Sequence, residues 1–400
     1  MNYRFSNRVG TFTSSAVREI LKLTQSSNVI SFAGGLPAEE HFPVKAIGEA
    51  FERVLAGGNR ALQYGLTEGY TPLREKICEW MASKGITVTP DDMLLTTGSQ
   101  QAIDLLTRVY IDAGDVILVE KPTYLSALQV FRSYGAQIVS VDGDEDGLDT
   151  ADLEAKLKQY RPKLVYVIPT FSNPTGKAWS VERRKAVLKL CREHEALILE
   201  DNPYGELKFG DASVTYPSIF SLDEHPKGSG VVYTSTFSKT AAPALRTGWV
   251  MGDPEIIRHM TRVKQAADLH SSSLDQQTLY QLMAHFDLEG HIEFVRKEYE
   301  ARMRQMAEQL QKQQWPGVKW NEPKGGMFFW LELPEAVDTA ELMKTAVGFG
   351  VAFVPGVSFF ADDAAKKNML RLNFTHNDFA GTIEGFERLN RAMETVLVKQ

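Results

Sequence analysis

Seven short apolar runs limit what this chain can become: Met93–Leu95, Val116–Val119, Ile138–Val141, Leu164–Ile168, Leu197–Leu199, Val231–Thr234 and Trp249–Met251. Several are unbroken β-branched or leucine stretches without polar alternation, the pattern of strands covered on both faces. The segments between them are long enough to carry crossovers, so the expected fold is an α/β sandwich built on a parallel sheet. Helix signals agree. Thr71 and Pro72 suit the N-cap and first position of a helix with apolar face Leu73, Ile77 and Trp80, and Ser180 precedes a helical run through Val187 and Cys191.

The texture changes after about residue 290. A long charged helical stretch, Glu293 to Gln314, leads into strand-like Gly326–Leu331, then Val351–Pro355, Met369–Phe374 and a closing helix from Gly381 to Val398. This predicts a smaller α+β layer. A chain of 400 residues has room for both parts. The expected division is a large domain over 46–290, a small C-terminal domain over 291–400, and an N-terminal segment over 1–45 that joins the small domain.

Charge and cysteine usage exclude several classes. Fifty-one Asp and Glu outweigh 44 Lys and Arg, a formal charge of -7 that offers no positive field for a polyanion, so no nucleic-acid partner is expected. Cys78 and Cys191 form no C-x-x-C spacing, which argues against a disulfide framework and a structural zinc site; no metal is expected, and both should pack as small hydrophobes in helices. No run of eighteen apolar residues occurs, and the expectation is a cytoplasmic chain without a membrane segment.

Chemistry should collect where loops leave the carboxyl ends of buried strands. After Met93–Leu95 come Gly98, Ser99 and Gln100 at a helix start, whose free N–H groups suit a phosphate. After Leu164–Ile168 comes the turn Asn173-Pro174-Thr175-Gly176. Asp201 follows Leu197–Leu199, with Tyr204 three residues on, and a buried Asp needs a cationic or hydrogen-bonding partner. The fourth loop holds Thr236, Ser238 and Lys239, with Arg246 seven positions beyond the lysine. Desolvation and a nearby fixed positive charge lower an ammonium pKa, and the neutral amine can attack a carbonyl. Together the loops supply a phosphate cradle, a carboxylate, hydrogen-bonding groups and a lysine, the set that pyridoxal 5'-phosphate requires.

The ordered motifs Ser31-Phe32-Ala33-Gly34-Gly35-Leu36-Pro37, Gln63-Tyr64, Asn173-Pro174-Thr175-Gly176, Ser238-Lys239 and Arg371 run through nearly the whole chain. With them the sequence resembles the fold-type I PLP-dependent aminotransferases of the aspartate aminotransferase superfamily, and more narrowly the group of 2-aminoadipate aminotransferase and kynurenine aminotransferase II. The resemblance implies a large α/β/α domain with a mostly parallel seven-stranded sheet. It implies that Lys239 carries the cofactor and then shuttles a proton, that Asp201 pairs with the pyridine nitrogen, and that Asn173 and Tyr204 bond the cofactor's phenolic oxygen. Tyr124 would stack on the ring, and Gly98, Ser99, Gln100, Thr236, Ser238 and Arg246 would take the phosphate. Tyr64 would reach the phosphate of a neighbouring subunit, implying a homodimer with shared sites. Arg371, with Asn173, would clamp the substrate α-carboxylate while Gly35 and its loop close over it. Arg18 would meet the substrate side chain.

The expected activity is ping-pong transfer of an amino group from 2-aminoadipate, glutamate or a bulky or aromatic amino acid to an acceptor such as 2-oxoglutarate. Two other classes share the kit. A PLP lyase, decarboxylase or racemase would release ammonia, carbon dioxide or an inverted amino acid. The effector module of a transcription regulator is the third reading, opposed by the acidic charge.

Overall fold

In the computed structural model, residues 1, 3–6, 9–10, 28–211, 213–223, 226–361 and 366–397 are described. All seven apolar runs form strands of one sheet: β1 (Met93–Thr96), β2 (Val116–Glu120), β3 (Gln137–Val141), β4 (Leu164–Val167), β5 (Leu197–Asp201), β6 (Val231–Thr236) and β7 (Gly248–Met251). Their order is β1-β7-β6-β5-β4-β2-β3. The block from β6 to β3 is parallel, and only β7 runs against its neighbours β6 and β1.

The lack of polar alternation has a direct cause. Leu118, Val165 and Ile198 point into a core on one face, while Ile117, Leu164 and Leu199 point into a second core on the other, and all six are fully buried. Each such side chain contributes roughly 1.5–3 kcal/mol by leaving water, so a strand covered on both sides has no use for polar positions.

Helix α1 (Thr71–Ala82) differs from expectation by one position. Tyr70, not Thr71, is the N-cap, and Pro72 stands at the second helical position; the Tyr70 N–H is held by Gln276 Oε1 at 2.7 Å, which fixes the entry one residue early. Leu73 and Ile77 are fully buried as predicted. Helix α4 (Val181–Glu193) begins after Ser180, whose hydroxyl accepts from Arg183 N. Between them lie α2 (Gly98–Tyr110) and α3 (Leu125–Ser133), and α5 (Pro254–Asp268) follows the sheet. Cys78 and Cys191 are buried thiols, and burial first, then the nearby Asp92 charge, pushes the Cys78 thiol up to about 11.

The long charged helix, α6 (Leu288–Gln313), starts a turn earlier than its charge pattern suggests, because the Asp287 carboxylate caps Gly290 N at 2.9 Å. Beyond it a four-stranded antiparallel sheet forms from β8 (Lys319–Trp320), β9 (Phe328–Glu332), β10 (Val354–Pro355) and β11 (Met369–Asn373), in the order β8-β9-β11-β10. Helix α7 (Phe379–Leu397) closes the chain. The N-terminal segment joins this part: Ile30–Ser31 pairs in parallel with Val351–Ala352, and Phe32 O accepts from Asn373 N at 2.8 Å. No helix among the described residues is long and apolar enough to cross a membrane.

Candidate active site

Strands β2, β4, β5 and β6 run the same way, so the loops that follow them leave one edge of the sheet, and β7, running back, starts at that edge. Tyr124, Asn173, Asp201 and Lys239 are carried there by four strand ends, where an open α/β sheet places its ligand site.

Lys239 ends a short 3₁₀ turn, Phe237–Lys239, capped by the Thr236 hydroxyl on Ser238 N at 3.1 Å. Its Nζ donates to the carbonyl of Gly35 at 2.8 Å. Burial, then the charges of Arg371 and Arg246, lower the amine to about 8. That is the condition for nucleophilic use near neutral pH.

Asp201 and Glu200 leave the same strand end with opposite fates. Both carboxyls are buried and raised to about 7 by desolvation. Glu200 is saturated, accepting from Ile219 N at 3.0 Å and Phe220 N at 2.9 Å. Asp201 Oδ2 accepts from the Tyr166 hydroxyl at 2.8 Å, but Oδ1 has no hydrogen-bond partner. A buried carboxylate oxygen left unmatched is expensive unless a ligand donor completes it.

The anion cradle lies at the start of α2. Gly98 has φ +73, and a Cβ there would stand 2.7 Å from Arg246 Nη2. Beneath it a Cβ on Gly248 would meet the backbone of Gly98, Ser99 and Ser235 at 2.7–2.8 Å, so the helix start can sit on β7 only over a bare backbone. No side chain caps α2, and its first N–H groups are left for an acceptor. Arg246 leans over the same place, donating to Ser238 Oγ and Thr97 O at 3.4 Å each, and the Thr236 and Ser238 hydroxyls meet at 2.9 Å. The phosphate candidates therefore share one locality.

Arg371 enters from β11 on the opposite side. It is almost fully buried; Nη1 donates to Asn173 Oδ1 and Nη2 to Ala33 O, both at 2.7 Å, while Nε has no partner. Its guanidinium lies 4.1 Å from the Phe328 ring and 5.0 Å from that of Phe359. Desolvation lowers it to about 10, and no carboxylate among the described residues pairs with it. Asn173 Nδ2 in turn reaches the Tyr204 hydroxyl at 3.4 Å. Burial pushes the Tyr204 phenol upward.

Tyr124 is half-buried before α3, and burial foremost raises its phenol, with the Asp201 charge also acting on it. Gln100 Nε2 turns away to Ser126 O at 3.4 Å. Tyr64 is not brought to the cluster: it is 79% exposed and packs edge-on against His270. Arg18 lies outside the described residues. Tyr166 is the residue sequence reasoning missed; it stands inside the β4 run, where a phenol reads as one more strand aromatic.

This donor set suits pyridoxal 5'-phosphate chemically. An open helix start beside an arginine matches a phosphate, the orphaned Asp201 Oδ1 matches a ring N–H, and Lys239 with a lowered pKa matches an aldehyde. Comparison with known proteins agrees. The family model for aminotransferase class I and II matches residues 27–380. The chain is 42% identical to aromatic-amino-acid aminotransferase 1 of Thermococcus litoralis, over 99% of this chain and 95% of that protein. It is 41% identical to the 2-aminoadipate transaminase of Thermus thermophilus, over 98% and 97%. Its fold superposes with a TM-score of 0.91 on α-aminoadipate aminotransferase from Thermus thermophilus, complexed with N-(5'-phosphopyridoxyl)-L-leucine, at 39% identity and covering 99% and 98% of the two chains.

Proposed function

The chain belongs to the class I and II aminotransferases, enzymes that use pyridoxal 5'-phosphate, and from that premise we propose that the cluster around Lys239 is its active site. When bound, the cofactor supplies an aldehyde carbon that carries the amino group and a protonated ring that draws electrons from the substrate Cα. The observation that carries the assignment is the Asp201 carboxylate, buried with Oδ1 unpartnered, at a strand end of the sheet edge that also carries Lys239, whose Nζ meets, among the described residues, only the Gly35 carbonyl.

In this reading Lys239 attaches the cofactor through its neutral amine. With its amine free, it would move a proton between the substrate Cα and the cofactor's aldehyde carbon. Asp201 keeps the ring nitrogen protonated with Oδ1 while Tyr166 saturates Oδ2. Asn173 and Tyr204 would hold the phenolic oxygen, Tyr124 would face the ring, and the start of α2 with Ser238 and Arg246 would hold the phosphate. Arg371, whose Nε has no partner, would hold the substrate α-carboxylate and so orient the substrate. Phe328 and Phe359 beside the guanidinium shield the charged contact from water.

The substrate range proposed is broad: 2-aminoadipate, glutamate and bulky apolar or aromatic amino acids, with 2-oxoglutarate as acceptor. The names of the two relatives and the aromatic walls near Arg371 support it. Arg18 is assigned the distal part of the substrate. The test is spectroscopic: the yellow loaded protein is mixed with single amino acids and its conversion to the aminated form recorded, then reversed with single oxo acids. If Arg18→Ala leaves the relative rates for acidic and apolar donors unchanged from the unaltered protein, that residue drops out of the reading.

A homodimer with shared sites is part of the same proposal. Tyr64, Leu62 and Leu66 are exposed together, at 79, 65 and 58%, on the surface that would supply a neighbour's phosphate contact. Mixing Lys239→Ala with Tyr64→Ala protein should give, at low cofactor concentration, more activity than either parent alone. The proposed domain division is 46–290, 291–400 and a joining segment 1–45, supported by the pairing of Ile30–Ser31 with Val351–Ala352.

A further inference from the structure

Lys264 is a lysine with no exposed surface and is not among the residues assigned above. It lies on α5, and its Nζ makes four contacts: Asp268 Oδ2 at 2.7 Å and Oδ1 at 2.9 Å, Ser271 Oγ at 2.9 Å and Gln101 Oε1 at 3.0 Å. Burial lowers its pKa, while the hydrogen bond and charge of Asp268 act in the opposite direction. A buried lysine is retained only where its donors are used.

The contacts lead to one residue. Gln101 Oε1, fixed by Lys264, accepts from Thr97 N at 2.8 Å, and Gln101 Nε2 is held by Asp268 at 2.7 Å. Ser271 Oγ, also fixed by Lys264, bonds the Thr97 hydroxyl at 2.8 Å. Thr97 is the N-cap of α2, and a threonine there ordinarily turns its hydroxyl onto the N–H groups of its own helix. Here that hydroxyl is drawn sideways to Ser271, and no side chain caps the helix.

We propose that Lys264 is a positioning residue for the phosphate cradle: through Ser271 and Gln101 it keeps the Thr97 hydroxyl off the start of α2, leaving those N–H groups for the phosphate. This rests on the reading of the α2 start as the phosphate site. Lys264 touches neither cofactor nor substrate in it. Its effect belongs to phosphate affinity and not to the chemistry at Lys239.

The test is a set of dissociation constants for pyridoxal 5'-phosphate, by equilibrium dialysis, with inorganic phosphate as competitor. Lys264→Met should weaken cofactor binding roughly tenfold, about one charge-assisted hydrogen bond. Ser271→Ala, which removes the hydroxyl's partner and leaves the lysine in place, should weaken it in the same direction. Adding Thr97→Val to either variant should recover the affinity, since valine has no hydroxyl to fold back. Unchanged affinity in both single variants, or no recovery in the doubles, overturns the inference. Failure of phosphate to compete on the unaltered protein would instead remove the phosphate site, and this inference with it.

Discussion

Asp201 Oδ2 and the Tyr166 hydroxyl meet at 2.8 Å between adjacent strands, and the other carboxylate oxygen is left without a partner. The pair makes the cofactor-free protein sensitive to pH. Unfolded, the carboxyl ionises near 3.8; folded, burial moves it to about 7. The folded state therefore holds a proton that the unfolded state has lost between about pH 4 and 7. Stability falls as pH rises through that window and levels off above it. Asp201→Asn should make the cofactor-free protein more stable at pH 8, by on the order of 1–3 kcal/mol, while weakening cofactor binding and turnover. Thermal melts at pH 4.5 and 8 check the sign; a destabilised variant at pH 8 would contradict it.

Lys239 should react with the cofactor's aldehyde only as the neutral amine. With the group near 8, the rate of reconstitution should rise as pH climbs toward 8 and flatten above it. Stopped-flow absorbance reads this directly. Lys239→Ala should retain cofactor through the phosphate contacts yet lose turnover by on the order of 10²–10⁴ or more. Near-normal turnover would refute its role.

Arg371→Gln should abolish the preference for amino acids over the corresponding amines that lack a carboxylate, with kcat/KM for amino acids reduced on the order of 10²-fold or more. Asn173→Ala removes the acceptor at Nη1, and its larger effect should fall on KM. Steady-state kinetics with a carboxylate and a decarboxylated donor separate the two.

Gly98→Ala places a Cβ 2.7 Å from Arg246 Nη2 at a backbone φ of +73. The arginine must move and the backbone is strained, so the variant should lose roughly 1–3 kcal/mol of stability and bind the cofactor more weakly. Calorimetry together with dialysis detects both losses; retention of full affinity would separate Arg246 from the phosphate.

The sheet was legible because burial on both faces leaves an unbroken apolar trace, and all seven runs became strands. The site loops were legible because proline, glycine and polar residues gather at strand ends. What stayed hidden follows from the same signals. Tyr166 counts as a strand aromatic until Asp201 is seen beside it, and Lys264 on a charged helix reads as a solvated cation until its burial is known. The cap of α1 slipped by one residue because Gln276, more than 200 positions away, holds Tyr70. A local pattern carries no record of such a partner.

The short strap from Ala33 to Gly35 binds both cations of the site, Arg371 through Ala33 O and Lys239 through Gly35 O. Both acceptors are main-chain carbonyls, so no side chain of the strap supplies either contact. Deleting side chains from the strap therefore cannot remove either contact. Its contribution would surface only under changes that shift the backbone itself, such as an inserted residue or a proline, and these should disturb the carboxylate clamp and the nucleophile together.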